Sequence, residues 1–209
     1  MPKGNAVPRS PFRSPGEREK DRALKRDALL HAAVRIFNER GFHAASLDDV
    51  AASLGVTKPV VYHYLGNKDQ VLFECVRIGL DQLRDAAVQM RRSPGTGLDR
   101  LKGFLRRYAE IILGDFGTCV IRTGDELLSA ASRKRFRSLK SDIDQALRQL
   151  VKEAVADGSI ALVDVRLAAF TLAGALNWSA RWYRSDGQSA PSELAAAMVE
   201  ILCVGLAPR

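Results

Sequence analysis

The chain has 209 residues, of which 46% are hydrophobic, and a formal net charge of +8. This composition is typical of a packed soluble domain and excludes a disordered or collagen-like chain. No run of about 18 uninterrupted apolar residues occurs, and the N-terminus lacks the apolar segment of a signal peptide, so we expect a cytoplasmic protein without membrane association. The charge permits nucleic-acid binding but does not locate it, because residues 1–70, with 12 basic against 8 acidic residues, hold only half of the excess.

The first 20 residues contain four prolines and almost no apolar periodicity. They predict a disordered basic arm over 1–20. Its arginines and lysines either belong to a solvated tail without a role or add contacts to DNA phosphates or the minor groove. Apolar residues then recur at helical spacing over 24–37, and Gly41 is placed as the C-terminal stop of this first helix.

Most of the chain after residue 68 also has helical periodicity. Asp164 and Ser192 are placed as N-caps, and turn-forming sequences separate the periodic stretches. A short apolar run at 160–163 has no second candidate strand to pair with, so the sequence predicts an all-α fold. The stretches predicted as helices lie at about 69–91, 97–113, 132–156, 164–183 and 192–206.

The segment 46–68 is the most informative part of the sequence. Ser46 is placed as the N-cap of a short helix, with Asp49 at the capping-box position. Gly55 supplies a turn where a left-handed backbone costs little, and Thr57 can cap a second short helix with apolar inward positions. Two short helices that meet at a glycine turn form a helix-turn-helix, whose second helix is sized to enter a major groove.

The outward positions of the second helix carry hydrogen-bond donors and flat rings, which suit contacts with phosphates and base edges. Lys68, at the start of the next helix, can hold a phosphate together with free backbone N–H groups. The glycine spacing alone also fits a plain αα-hairpin, but three successive rings at 62–64 favour DNA binding because a solvated helix rarely needs them. The predicted DNA-contacting residues are Ser46, Thr57, Lys58, Pro59, Val60, Tyr62, His63, Tyr64 and Lys68.

These motifs resemble the TetR family of one-component regulators. The resemblance covers about 23–75 and rests on Ser-Leu-Asp-Asp-Val-Ala-x-x-Leu-Gly-Val, then Thr-Lys-Pro-x-x-Tyr-His-Tyr, then Asn-Lys-Asp. It departs at Leu65-Gly66, where Phe and then a small residue is commoner. The resemblance implies a three-helix DNA-binding head, which we assign to 21–70, and a helical effector-binding and dimerisation body, which we assign to 71–209. It also implies a repressor that an effector releases from its double-stranded DNA operator.

A regulator that reads a palindromic operator needs two heads at a fixed separation, so we expect a homodimer. The last two periodic stretches mix small and large apolar residues that let helices approach closely, although an ordinary monomer core would use similar residues. The predicted interface residues are Leu167, Phe170, Gly174, Met198, Ile201 and Leu202.

The segment 176–187, with Asn-Trp at 177–178 and Arg-Trp-Tyr at 181–183, resembles the bodies of TetR regulators of fatty-acid, sterol and acyl-CoA catabolism. This resemblance implies a small hydrophobic effector. An acyl-CoA, with basic residues of 106–107 and 133–137 near its phosphates, is one class; another hydrophobic or aromatic molecule is the other, and a body without a ligand is the third alternative. The predicted effector residues are Phe104, Tyr108, Ile112, Trp178 and Arg181.

Catalytic motifs are absent from the sequence. The three histidines are scattered, and neither a metalloprotease motif, a nucleophile elbow nor a phosphate-binding glycine loop occurs. The three cysteines lack C-x-x-C spacing and are interpreted as small apolar residues. We therefore expect no enzyme activity, no cofactor and no metal, and the remaining alternative is a helical interaction or lipid-carrier module that does not bind DNA.

Overall fold

The computed structural model describes residues 14–184, 186–187 and 189–205, and within them it contains nine α-helices, one short 3₁₀ turn and no strand. The all-α prediction is thereby confirmed. Across these same ranges, no helix is both long and apolar enough to cross a bilayer. The helices are α1 Pro15–Arg40, α2 Leu47–Ser53, α3 Lys58–Leu65, α4 Lys68–Arg91, α5 Gly97–Leu113, α6 Asp115–Arg122, α7 Ala130–Ala156, α8 Val165–Trp182 and α9 Pro191–Val204.

The head is a three-helix unit in which α1, α2 and α3 pack against one another, and α1 also packs on α4. Its centre is formed by fully buried apolar side chains, among them Val34, Val50 and Val61. The long helix α4 continues from the head into the body and crosses residue 70, where the sequence places the boundary. Head and body therefore share a continuous helix, and the boundary itself remains a prediction.

The first helix begins earlier than predicted. Ser14 is its N-cap: the Ser14 hydroxyl accepts from the Glu17 N–H at 3.2 Å, and the Glu17 carboxylate accepts from the Ser14 N–H at 2.7 Å. Pro15 occupies the first helical position, where the missing N–H costs no intrahelical hydrogen bond. The prediction of a disordered arm is therefore wrong for 15–20, because Pro15 starts a helix rather than interrupting one. The rest of that prediction, 1–13, lies outside the described residues.

The structure contains one helix that was not predicted and places one predicted N-cap inside a helix. Helix α6 was not predicted, because its eight residues are too short for a periodic signal and include Gly117 in the interior. A Cβ at Gly117 would lie 1.9 Å from the Ile111 carbonyl oxygen, so the glycine permits α6 to fold back closely on α5. Helix α9 begins at Pro191, with Ala190 as its N-cap, and Ser192 is thus inside the helix rather than capping it.

The body packs around α4, α5 and α7, with α6, α8 and α9 against their outer sides. Phe104 of α5 and Phe136 of α7 are fully buried in its core. Helix α8 turns Leu176 and Ala180 toward this core and leaves the opposite side of the helix exposed. The fold therefore presents two different surfaces, one on α3 and one on α8 and α9.

Candidate nucleic-acid interface

The start of α2 is held by a reciprocal capping box. The Ser46 hydroxyl oxygen accepts from the Asp49 N–H at 3.1 Å, and the Asp49 carboxylate accepts from the Ser46 N–H at 2.9 Å and from the Ser46 hydroxyl at 2.7 Å. Hydrogen bonds from Ser46 lower the pKa of Asp49, so the carboxylate is charged at neutral pH. The Ser46 donors are engaged in this box, and a phosphate would have to replace Asp49 as their acceptor.

The turn between α2 and α3 depends on Gly55, whose φ of +63° lies in the left-handed region. Thr57 is the N-cap of α3 by backbone position, but its hydroxyl makes no capping hydrogen bond, so the prediction of a side-chain cap is wrong. The reason is that Pro59 has no N–H and the Val60 N–H already donates to the Thr57 carbonyl at 3.0 Å. The Thr57 hydroxyl therefore does not cap α3.

Val61 and Leu65 of α3 are buried in the core of the head, as the sequence predicts. Tyr64 is half-buried against the core, and its ring contacts the His63 ring edge-on at 5.2 Å. The remaining predicted residues of the helix share one solvent-exposed side, on which the Tyr62 side chain is 47% exposed. We call this side the α3 outer face; it comprises Thr57, Lys58, Pro59, Val60, Tyr62 and His63.

An ion pair crosses from α2 to the α3 outer face. The Lys58 ammonium lies 2.6 Å from the Asp48 carboxylate, and more than half of each side chain is exposed. The hydrogen bond to Asp48 raises the pKa of Lys58, which keeps the ammonium charged. Because an exposed pair contributes little to stability, Lys58 can exchange Asp48 for a phosphate or a base edge at small cost.

Lys68 is held by two groups that the sequence did not indicate. Its ammonium lies 4.4 Å from the centre of the Phe42 ring and donates to the His43 carbonyl at 3.3 Å. Lys68 is the first residue of α4, after the N-cap Asn67, whose side chain accepts from the Gln70 N–H at 2.9 Å. The ammonium and the start of α4 are thus presented together, which is the arrangement that binds phosphate at helix N-termini.

The predicted effector residues do not form one site. Phe104, Tyr108 and Ile112 lie together on the buried side of α5, whereas Trp178 and Arg181 are exposed on α8. The residue that meets Tyr108 is Asn177, whose Oδ1 accepts from the Tyr108 hydroxyl at 2.8 Å. Burial raises the pKa of Tyr108 to about 12. These contacts are those of a packed core, and the prediction that groups Trp178 with the α5 stripe is not supported by the geometry.

The predicted dimer residues divide into two groups. Leu167, Phe170, Gly174 and Ile201 are exposed, with Leu167 65% and Ile201 52% accessible, while Met198 and Leu202 are half-buried against the core. Trp178, 66% exposed, lies in line with the exposed residues of α8. We call this surface the α8–α9 face; it comprises Leu167, Phe170, Gly174, Trp178 and Ile201.

Comparisons with known proteins agree with this geometry. A family model described as bacterial regulatory proteins, tetR family, matches residues 29–75, and one described as tetracyclin repressor-like, C-terminal domain, matches residues 94–206. The transcriptional repressor KstR2 of Rhodococcus jostii is 28% identical over 201 residues, which cover 92% of this chain and 96% of that relative.

Two solved structures share the fold of this chain. PfmR of Thermus thermophilus, a TetR family transcriptional regulator, has a TM-score of 0.78 at 28% identity over 86% of this chain and 99% of that one. AibR has a TM-score of 0.72 at 24% identity over 85% of this chain and 97% of that one, which shows a shared fold. Because the C-terminal family model alone spans more than half of the chain, the protein belongs to the TetR family of transcriptional regulators, which bind DNA and are not enzymes.

Proposed function

We propose that the protein works as a homodimer that represses transcription in the cytoplasm and leaves a palindromic operator when a small hydrophobic effector binds its body. This proposal rests on the presence of two different exposed surfaces in one fold. The α3 outer face is exposed and rich in donors and rings, and the α8–α9 face is exposed and apolar. A helical interaction or lipid-carrier module that does not bind DNA would not need the first surface.

On DNA, the α3 outer face would enter the major groove while Lys68 holds a flanking phosphate. Helix α3 has no arginine that could bind guanine bidentately, so base readout depends on Lys58, His63, ring contacts and DNA shape. Ser46 would contribute by orienting α2 through its capping box, with a direct phosphate contact requiring exchange of Asp49.

Homodimerisation is supported by the apolar character of the α8–α9 face. Leu167, Phe170 and Trp178 on α8 and Ile201 on α9 are large apolar side chains exposed to solvent, and a cluster of such side chains along one helix is typical of an interaction site. Gly174 lies on the same side of α8, and a Cβ added there would meet nothing within 4 Å, so a second helix can approach closely at this position. A two-fold arrangement of this face would place two heads on two half-sites of a palindrome.

The effector belongs to the hydrophobic class that the body resemblance implies. AibR, which shares the fold, was solved in complex with isovaleryl coenzyme A and operator DNA, and an acyl-CoA is accordingly one candidate for this chain. The other candidate is a hydrophobic molecule without a coenzyme A group. In either case, occupation of the body would change how the two heads are spaced.

The test is fluorescence anisotropy with labelled DNA from the promoter beside the gene of this protein, over a range of salt concentrations. Tyr62→Ala and Lys68→Ala should each weaken binding at least about tenfold, and Lys68→Ala should also lower the salt slope by about one. Val88→Ala, which changes an exposed valine on α4 outside the head, is the matched control and should bind normally. Unchanged DNA binding by both head variants would refute the proposed interface.

A further inference from the structure

The first turn of α3 carries an apolar part of the α3 outer face. Pro59 and Val60 are consecutive residues of this turn, and both are exposed, Val60 with 37% of its surface accessible. The next residue, Val61, is fully buried in the core of the head. The Val60 side chain is not part of that core, but the packing of Val61 holds it at a fixed place on the surface.

Val60 also lies at the end of the helix that meets base edges. In a helix-turn-helix, the N-terminal residues of the second helix contact the bases, and Val60 is the third residue of α3. Pro59 and His63 are four residues apart and lie along the outermost line of the helix, with Val60 on one flank and Tyr62 on the other. A groove that receives Pro59 and His63 therefore also covers Val60.

Helix α3 has few groups for polar base readout. It is described throughout its length, and its sequence contains no arginine, asparagine, glutamine or acidic residue. The bidentate pairings that select guanine and adenine are therefore not available from this helix. Its ammonium group, on Lys58, is a point charge that lies 2.6 Å from the Asp48 carboxylate. Selection of bases by α3 must therefore depend in part on apolar contact.

Thymine is the base that offers an apolar group in the major groove. Cytosine at the same place has no 5-methyl group and presents an N4 amino donor. A valine placed over cytosine would cover this donor without accepting a hydrogen bond from it, which is unfavourable. Contact between the Val60 methyl groups and a thymine methyl group instead removes apolar surface of both molecules from water.

We infer that Val60, with Pro59 beside it, contacts the 5-methyl group of a thymine in each half-site of the operator. This inference rests on the proposed function, because it assigns a base to the α3 outer face of that regulator. It adds an apolar contact to the contacts of Lys58 and His63, so that operator affinity depends on a group without charge. Lys68, in contrast, would contact a phosphate, which is the same beside every base.

The experiment compares two forms of one DNA fragment, the promoter beside the gene of this protein. The fragment is amplified with labelled primers and either dTTP or dUTP, so that uracil replaces thymine between the primers and only the 5-methyl groups are lost. Fluorescence anisotropy then measures binding of the full chain. The wild type should bind the uracil form about tenfold more weakly, because each of two half-sites loses a buried methyl group. Val60→Ala should bind the two forms within about twofold of each other, since alanine does not reach the methyl group.

Three further variants control this comparison. Val60→Ser, which also lacks both valine methyl groups, should behave like Val60→Ala. Val88→Ala changes an exposed valine on α4 and should keep the full tenfold difference of the wild type. Lys68→Ala should weaken binding to both forms by the same factor, because a phosphate contact does not depend on the base.

Two results would overturn the inference. Equal binding of both DNA forms by the wild type would show that no thymine methyl group is contacted. A tenfold difference that persists in both Val60 variants would show that another residue or the altered shape of uracil DNA causes it. A wild type that binds neither form refutes the proposed function itself, whereas tight binding without dependence on the methyl groups refutes this inference alone.

Discussion

Arg122 of α6 donates a hydrogen bond to the main-chain carbonyl of Asn38 in α1 at 2.7 Å. The same guanidinium donates to the Ala180 carbonyl in the last turn of α8 through Nη2 at 2.9 Å and Nε at 3.2 Å. One side chain thus connects the first helix of the head to the helix that carries the α8–α9 face. An ion pair between Arg35 and Asp115, at 3.1 Å, is a second contact between α1 and α6.

Replacement of Arg122 by Ala should loosen the head from the body. Because two carbonyls lose a charged donor, we expect the free energy of unfolding to fall by about 1–2 kcal/mol. Operator affinity should fall as well, since the heads are less well positioned. Urea denaturation and DNA anisotropy measure the two effects, with Arg106→Ala, an exposed arginine on α5, as the control. If Arg122→Ala and Arg106→Ala have the same stability and the same operator affinity, Arg122 does not hold the head against the body.

Removal of the Asp48 charge should strengthen DNA binding. In Asp48→Asn, Lys58 loses its carboxylate partner and a negative charge leaves the surface next to the α3 outer face. We expect roughly a two- to fivefold gain in affinity, larger at low salt, because the effect is electrostatic. Anisotropy titrations at several salt concentrations measure this change in DNA affinity. If Asp48→Asn binds more weakly than the wild type, the ion pair orients Lys58 for DNA instead of restraining it.

A charge on the α8–α9 face should separate the subunits. Leu167→Glu and Ile201→Glu introduce a carboxylate on exposed apolar positions, where burial against a second subunit would be costly. Sedimentation velocity should show a monomer for each and a dimer for the wild type. Val88→Glu places the same charge on an exposed valine of α4 and should leave the dimer intact. A monomeric wild type, or a dimer that tolerates both changes, would argue against this interface.

Shortening side chains on the buried stripe of α5 should lower the stability of the body. Phe104→Ala leaves a cavity in a packed core and should cost about 3–5 kcal/mol of unfolding free energy. Tyr108→Phe removes the donor to Asn177 and should cost about 1 kcal/mol. Urea denaturation measures both losses, with Arg106→Ala, an exposed arginine on the same helix, as the control. If Phe104→Ala is as stable as the wild type, this stripe does not belong to a packed core.

The ionisation of Tyr108 predicts a decline of stability in alkali. The pKa of Tyr108 is about 12 in the folded chain, above the 10.0 of an unperturbed tyrosine, so the unfolded state releases this proton first as the pH rises. The stability associated with Tyr108 is therefore complete below pH 10 and is lost as the pH approaches 12. When wild type and Tyr108→Phe are unfolded in urea at several pH values, the wild type should lose its advantage of about 1 kcal/mol within that interval and become the less stable of the two as the pH approaches 12. A difference that stays constant would show that Tyr108 ionises alike in both states.

The sequence by itself determined the head, because the signals there are local. A capping box such as Ser46 with Asp49, and a left-handed glycine such as Gly55, act within a few residues and depend little on the rest of the fold. The inward placement of Val61 and Leu65 follows from helical periodicity in the same way. These positions, with the outward rings of α3, sufficed to predict a helix-turn-helix.

Only the tertiary structure decided which groups meet across the chain. The Lys68 ammonium packs on the Phe42 ring, which belongs to a different part of the chain, and the spacing of residues in the sequence does not predict such a contact. Asn177 and Trp178 are adjacent in sequence, but successive residues of a helix point about 100° apart, so one meets Tyr108 while the other lies on the α8–α9 face. Local physics thus accounts for the helix-turn-helix, whereas long-range packing sets the contacts that would regulate it.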